Sequence, residues 1–171
     1  MGRKTDAHDL SAAYERVLGQ TLTEIAWRPI TSDTPDLVAT LGQERLEYSG
    51  AASLFFRNRE EVFLTWEQCV SGYAIVASNP QEWRPLSLDL INASREFPWS
   101  QFFGATLQGA SLFRTPRSGG EVLAIRHRFE ETSEALWIGV GHNGEVDDHD
   151  DLIISVGPPK NVDKLDLIKD I

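Results

Sequence analysis

The chain has very little cysteine and no long hydrophobic run. Cys69 is the one cysteine among 171 residues, which excludes a disulfide within the chain and favours a packing role for this small apolar side chain. No run approaches the roughly 18 apolar residues of a membrane-spanning helix. The N-terminus also lacks the apolar segment of a secretion signal. These absences predict a cytosolic protein.

The signatures of common catalytic machinery are also missing. There is no G-x-S-x-G elbow, no S-x-x-K motif and no H-E-x-x-H helix. His127, which stands between two arginines in a β-rich run, is expected on a surface face. A pair of glycosidase carboxylates could be drawn from the 26 acidic residues, but a sequence gives no distances between them. We therefore predict a protein that is not an enzyme and needs no cofactor.

Positive charge is scarce. Sixteen lysines and arginines face 26 aspartates and glutamates, which leaves a net charge of -10. Half of that charge lies in residues 141–171, where eight acidic residues stand against three lysines. A surface of this sign repels a phosphate backbone, so nucleic acid is not an expected partner. The partner that this charge favours is a basic protein.

Helical periodicity is confined to the two ends of the chain. Near the N-terminus, five apolar residues follow the spacing of one helix face: Leu10, Ala13, Tyr14, Val17 and Leu18. Near the C-terminus, Val162, Leu165 and Ile168 keep an i, i+3 spacing, and Asn161 could cap the first turn. We predict an N-terminal helix over residues 9–18 and a short C-terminal helix.

Between these ends, short β-rich runs alternate with turn signals. The runs include RLEY, EVFLTW, YAIVAS, ALWIGV and LIISV. Because no helical pattern lies between consecutive runs, the sheet should be antiparallel. The sequence therefore predicts an α+β fold, mainly an antiparallel β-meander, as a single domain over residues 1–171.

Two parts of the chain resemble each other. The resemblance is carried by two pairs of motifs: GQTL at 19–22 and GATL at 104–107, and LFFRNREE at 54–61 and LAIRHRFEE at 123–131. A short helix is expected after Pro98, where proline suits a first turn, and it would match the N-terminal helix. We interpret the pattern as two similar halves, 9–78 and 93–156.

The segment 139–151, GVGHNGEVDDHDD, carries the most unusual local pattern. Gly139, Gly141 and Gly144 match the G-x-G-x-x-G spacing of dinucleotide sites, but acidic residues follow where phosphates would bind, and no helix pattern does. That function is therefore excluded. Asn143-Gly144 is instead a pair that type I′ hairpin turns favour, and the sequence predicts a tight turn followed by solvated carboxylates.

The acidic side chains after this turn form what we call the acidic rim: Glu145, Asp147, Asp148, Asp150 and Asp151. Such a rim would attract a basic protein, and exposed aromatic residues would then hold the complex together. Trp83 and Trp99, in turn-rich segments, are the predicted contact residues. Trp27, Trp66 and Trp137 lie in β patterns and are predicted for the core.

In its size, its negative charge and its lack of catalytic motifs, the chain resembles small acidic bacterial immunity proteins, which neutralise a toxin by covering its active site. The resemblance implies a non-catalytic, cytosolic protein-binding module. Its partner would be a basic, toxin-like protein.

Two other functions stay open. If residues 145–151 were extended, Asp147, His149 and Asp151 would project to one side, and with His142 they could hold a divalent cation. The protein would then be a metal-binding domain or a metal-dependent hydrolase. The third hypothesis is a structural protein whose strands pair with copies of itself.

Overall fold

Two antiparallel sheets and one N-terminal helix make up the computed structural model, which describes residues 7–30, 45–69, 72–83 and 90–171. The helices are α1 Ala7–Glu15 and α2 Pro80–Trp83, with the 3-10 helices η1 Trp99–Gln101 and η2 Val162–Lys164. The strands are β1 Leu22–Pro29, β2 Arg45–Tyr48, β3 Gly50–Phe56, β4 Glu61–Cys69, β5 Gly72–Ala77, β6 Ile91–Asn92, β7 Leu107–Arg114, β8 Ala124–Phe129, β9 Leu136–His142, β10 Glu145–Val146, β11 Leu152–Val156 and β12 Asp166–Asp170. None of the helices in the described ranges is long and apolar enough to cross a membrane.

The strand pairing confirms the predicted antiparallel sheet. The five-stranded sheet has the order β5-β4-β3-β1-β6, and the seven-stranded sheet has the order β12-β7-β8-β9-β11-β2, with β10 paired to β9. Side chains from both sheets, such as Leu54 and Ile138, belong to one hydrophobic core. Of the tryptophans predicted for this core, Trp27 and Trp137 are buried and Trp66 is partly buried against it.

Helix α1 confirms the predicted N-terminal helix, although it ends earlier than expected. Its apolar face is buried, including Leu10 and Tyr14. After Glu15 the chain continues as a turn, in which the amide of Leu18 still donates to the carbonyl of Tyr14 at 3.0 Å. Gly19 then reverses the chain with φ +72, a conformation that glycine adopts without steric cost.

Helix α1 packs on β8 through a buried polar contact. The Tyr14 hydroxyl lies 2.5 Å from Nε2 of His127, and Nδ1 of the same ring lies 2.9 Å from the carbonyl of Leu136. His127 is fully buried, so the predicted surface position is wrong. Side chains alternate along a strand, and it is Arg126 and Arg128 that occupy the partly exposed face of β8.

The C-terminal segment differs from the prediction. Only the three residues of η2 are helical, and Asp166–Asp170 form β12, which pairs with β7 at the sheet edge. Ile171 exchanges two backbone hydrogen bonds with Ala110, at 2.8 and 3.1 Å. Because so short a helix is marginal without extensive packing, the unpaired backbone groups of β7 offer this segment the more stable arrangement.

The two sheets share one strand order. Strands β1, β3, β4 and β5 are neighbours in the first sheet, as β7, β8, β9 and β11 are in the second. In each sheet a later strand, β6 or β12, returns to pair with the first member of the set. The predicted halves, 9–78 and 93–156, leave out both returning strands. The division of the chain into two similar halves stays a prediction.

The GQTL and GATL motifs meet at the junction of the two sets of strands. Thr21 and Thr106 form an isolated antiparallel bridge. The motifs exchange equivalent hydrogen bonds, from the first amide of one to the last carbonyl of the other: Gly19 to Leu107 at 2.9 Å and Gly104 to Leu22 at 2.8 Å. The GQTL and GATL motifs, which resemble each other in sequence, therefore lie where the two sets of strands are hydrogen-bonded to each other.

Candidate functional site

The turn before the acidic rim is a two-residue hairpin between β9 and β10. Asn143 has φ +54 and Gly144 has φ +77, which are the positive values that a type I′ turn needs at both central residues. His142 and Glu145 pair across the turn. The structure thus confirms the predicted turn. A side chain at Gly144 would also overlap the guanidinium of Arg45.

Glu47, which no sequence motif marks as a functional residue, holds this turn. Its carboxylate accepts hydrogen bonds from the amides of Asn143, at 3.2 Å, and Gly144, at 2.5 Å, and pairs with Arg45 at 3.1 Å. Strand β2 reaches the turn because it lies beside β11 at the sheet edge. The alternation in RLEY puts Arg45 and Glu47 on one face, and this is the only local signal.

Replacing Glu47 with alanine is expected to lower the free energy of unfolding by about 1–3 kcal/mol, because two backbone amides lose their acceptor. Glu47→Gln keeps an acceptor oxygen and should lose less. Urea unfolding measures both changes. Glu60→Ala is the matched control, since it breaks an exposed ion pair with Arg16 that is worth under about 1 kcal/mol. An equal loss in Glu47→Ala and the control would refute the role of Glu47.

Most of the acidic rim is exposed. Glu145, Asp147, Asp148 and Asp150 are exposed, and Asp151 is partly buried. Within the described ranges, no lysine or arginine forms an ion pair with these carboxylates; their one basic neighbour at such distance is His149, whose Nδ1 lies 3.3 Å from Asp150 and 4.0 Å from Asp151. The lysines and arginines of the described ranges thus leave the negative charge of the rim without direct pairing.

The segment that carries the acidic rim does not continue as a strand beyond Val146. It bends toward the five-stranded sheet. Asp148 accepts a hydrogen bond at 2.7 Å from the amide of Tyr73 in β5, and Asp147 accepts one at 2.8 Å from the amide of Asp148. Gly72 leaves the space that the Asp148 carboxylate occupies, since a Cβ there would overlap it. The rim is therefore anchored against the edge of the five-stranded sheet.

The same bend gathers two histidines and one aspartate, which we call the His-His-Asp cluster: His142, His149 and Asp151. One potential ligand atom from each lies within 4.8 Å of the others. The two imidazole rings stack with centroids 4.8 Å apart and planes 13° from parallel. Asp147, the fourth predicted ligand, is not in this group and lines a pocket beside Arg117 instead. Of the four predicted ligand residues, the structure thus brings three together.

Asp151 holds its place in the His-His-Asp cluster through its backbone. Its carbonyl accepts a hydrogen bond at 3.1 Å from the amide of Gly141, the residue before His142. Partial burial, and then the neighbouring Asp150 carboxylate, raise the pKa of Asp151, while His149 and His142 act in the opposite direction.

Trp99 does not lie at the surface. It is 0% exposed and meets the Trp27 ring edge-on at 5.3 Å, so the predicted role as an exposed contact residue is corrected to a core role. A 3-10 helix has three residues per turn, which puts Trp99 and the buried Phe102 on one side of η1. The exposed aromatics of this segment are Phe97 and Phe103. The side chain of Trp83 lies outside the described residues.

Comparison of the chain with protein-family models, with characterised proteins and with solved structures gave no match. The function is therefore inferred from the physical chemistry of the site itself.

Proposed function

We propose that the protein is a non-catalytic, cytosolic protein-binding module that attracts a basic protein through the acidic rim. One observation carries the proposal. The rim carboxylates are largely exposed and unpaired with lysine or arginine in the described part of the chain, and the hydrogen bond from Tyr73 anchors one of them, Asp148. A toxin-like partner, as the resemblance to immunity proteins implies, is the specific form of this proposal.

The rim would act mainly on the rate of association. Clustered charge of one sign steers an oppositely charged protein toward it, and this steering weakens as salt shortens the reach of the field to about 10 Å at 0.1 M. Because Asp148 is already anchored, binding would not have to order this part of the segment, which keeps its entropic cost low. Charge of this kind also discriminates against acidic partners.

Exposed aromatic side chains would supply the desolvated part of the contact. With Trp99 in the core, Phe97 and Phe103 take its place in the proposal, at 67% and 45% exposed. Phe103 lines a pocket with Asn92 of β6, whereas Asp148 reaches β5, the opposite edge of the sheet. The two edges of this sheet are four strand spacings apart, which is about 19 Å. A standard interface of about 800 Å² per partner covers that distance.

Neutralising three rim residues is expected to slow association with the partner several-fold at low salt, and much less at 0.5 M salt. The rim variant is Glu145→Gln, Asp147→Asn and Asp150→Asn, which leaves the anchoring Asp148 intact. The partner is first captured from an extract of the native cells and purified, and association is then followed by stopped-flow fluorescence.

The control variant changes the net charge equally at another exposed turn, between β8 and β9: Glu130→Gln, Glu131→Gln and Glu134→Gln. Its association rate should stay close to that of the wild type. If the rim variant and the control variant associate at the same rate, a local role for the rim is rejected. Phe103→Ala should act mainly on dissociation, since desolvated contacts set the lifetime of a complex.

Self-association through strand edges, the third hypothesis, has less support from the described residues. The edge strand β12 carries three exposed charged residues, Asp166, Lys169 and Asp170. On the edge strand β5, the amide of Tyr73 already donates a hydrogen bond to the Asp148 carboxylate. Charged and covered edges of this kind oppose pairing with another copy. This observation favours a different protein, and not a second copy of the chain, as the partner.

A further inference from the structure

We propose that the His-His-Asp cluster binds a first-row transition metal ion, with Zn²⁺ as the reference ion. The inference does not depend on the proposed function, because a metal ion could bind whether or not the acidic rim contacts a protein. Attraction of a basic protein needs only carboxylates and does not explain why His142 and His149 lie beside Asp151. Metal binding gives all three residues a role.

The chemistry of the cluster selects the kind of ion. Two imidazole nitrogens and one carboxylate oxygen suit zinc, nickel, copper and iron, whereas magnesium and calcium prefer sites built entirely from oxygen. Three protein ligands also leave a coordination position for water, as in mononuclear sites of the His-His-carboxylate type. The cluster therefore predicts discrimination between the two classes of cation.

The spacing of the cluster is compatible with one ion after a small movement. Ligand atoms bound about 2.1 Å from a tetrahedral ion lie about 3.4 Å from one another, while those of the cluster lie within 4.8 Å. His142 is exposed, and His149 and Asp151 are only partly buried. Rotation of these side chains closes the difference without moving the strands, and it also turns the stacked rings toward a common point.

The backbone fixes two of the three ligands relative to each other. His142 ends β9 and stands beside the type I′ turn, which Glu47 holds through two amide hydrogen bonds. Asp151 immediately precedes β11, and the amide of Gly141 donates to its carbonyl. The backbone positions of His142 and Asp151 are thus fixed, and the bend of the acidic rim brings His149 to them.

The surroundings of His149 also favour a metal ligand. Nδ1 of His149 is shielded from solvent and has no hydrogen-bond partner among the described residues, although a carboxylate oxygen of Asp150 lies 3.3 Å away. Metal-binding histidines commonly have a carboxylate beside the ring nitrogen that does not bind the ion, which orients the ring. A small rotation of His149 would give Asp150 this positioning role.

The test uses the full chain without a polyhistidine tag, after treatment with chelator. Isothermal titration calorimetry measures binding of Zn²⁺, Ni²⁺, Mg²⁺ and Ca²⁺ separately, and thermal unfolding is followed under the same conditions. The expected result is one equivalent of Zn²⁺ or Ni²⁺ bound, with a rise in melting temperature because the ion binds the native state. Mg²⁺ and Ca²⁺ should bind at least ten-fold more weakly.

Matched variants separate the cluster from the charge around it. His142→Ala, His149→Ala and Asp151→Asn should each weaken Zn²⁺ binding at least ten-fold. Glu145→Gln removes the same charge as Asp151→Asn but lies outside the cluster, so its affinity for Zn²⁺ should change less than three-fold. Circular dichroism verifies that each variant is folded, and Co²⁺ absorption bands report the coordination number and geometry of the bound ion.

Three results would overturn the assignment. The first is the absence of Zn²⁺ and Ni²⁺ binding in the wild type. The second is equal binding of Mg²⁺ and Zn²⁺, which would show diffuse attraction by the acidic rim. The third is an equal loss in Glu145→Gln and Asp151→Asn. None of these results bears on the proposed protein contact, which the association rates of the rim variant test separately.

Discussion

Trp99→Ala is expected to lower the free energy of unfolding by about 3–5 kcal/mol, the usual loss for a large aromatic side chain in a core. The side chain is fully buried and packs edge-on against Trp27. Removing it deletes this contact and leaves a cavity that η1 and the two sheets can only partly close. This is the largest loss of stability that we predict. A loss of this size is expected of a core residue and not of the exposed contact residue that the turn-rich segment predicts.

Two further variants keep this prediction testable by urea unfolding. Phe103→Ala lies in the same segment, but its side chain is 45% exposed, so the loss should be no more than about 1 kcal/mol. Trp99→Phe retains a ring and removes a buried indole nitrogen that has no hydrogen-bond partner in the described part of the chain, so it should recover much of the stability. A Trp99→Ala protein as stable as Phe103→Ala would show that Trp99 is not a core residue.

Acidification from pH 7.5 to pH 5 is expected to destabilise the wild type by about 2 kcal/mol more than it destabilises His127→Gln. Burial lowers the pKa of His127 from 6.5 to about 4, while the backbone hydrogen bond to Leu136 opposes this only in part. The folded protein therefore keeps this imidazole neutral down to about pH 4. The unfolded chain, with a pKa near 6.5, already binds the proton.

The sign of the effect follows from this difference in proton binding. Between about pH 6.5 and pH 4 the unfolded state holds more protons than the folded state, so stability falls as the pH falls through this window. The rest of the loss on acidification comes from groups common to both proteins. The difference between wild type and His127→Gln isolates the histidine.

Urea unfolding at several pH values between 5 and 7.5 measures the effect, and Tyr14→Phe provides a second comparison. This variant removes the hydroxyl that lies 2.5 Å from Nε2 of His127 but leaves the imidazole buried, so the dependence on pH should persist. If the wild type and His127→Gln respond to pH in the same way, His127 is not the buried neutral group that the structure indicates.

The local features of the acidic rim could be predicted because they depend on adjacent residues. A type I′ turn needs positive φ at two consecutive positions, and Asn143 and Gly144 are residues that adopt it readily. The bend beyond Val146 could not be predicted in the same way. It depends on Tyr73, which lies 75 residues from Asp148 in the chain and donates its amide to it. That bend decides which rim residues join the His-His-Asp cluster and which do not.

The GQTL and GATL motifs occupy equivalent places in the two sets of strands, whereas the second pair of motifs is out of register between them. Phe56 pairs with Leu22, and Phe129 pairs with Leu107. By these partners Leu54 corresponds to His127, whereas the sequence motifs align it with Leu123. The motif alignment depends on two arginines at the same spacing, and charged residues on exposed strand faces mark register less reliably than buried side chains do.

The sequence by itself determined the antiparallel class of the fold, helix α1, the type I′ turn and the excess of negative charge. Each of these depends on residue spacing, on backbone preference or on composition. Only the tertiary structure decided that Trp99 is buried, that the C-terminal residues pair with β7, and that Glu47, 97 residues away from Gly144, holds the turn. These outcomes depend on which distant segments offer unpaired backbone groups or apolar surface, and no local window contains that information.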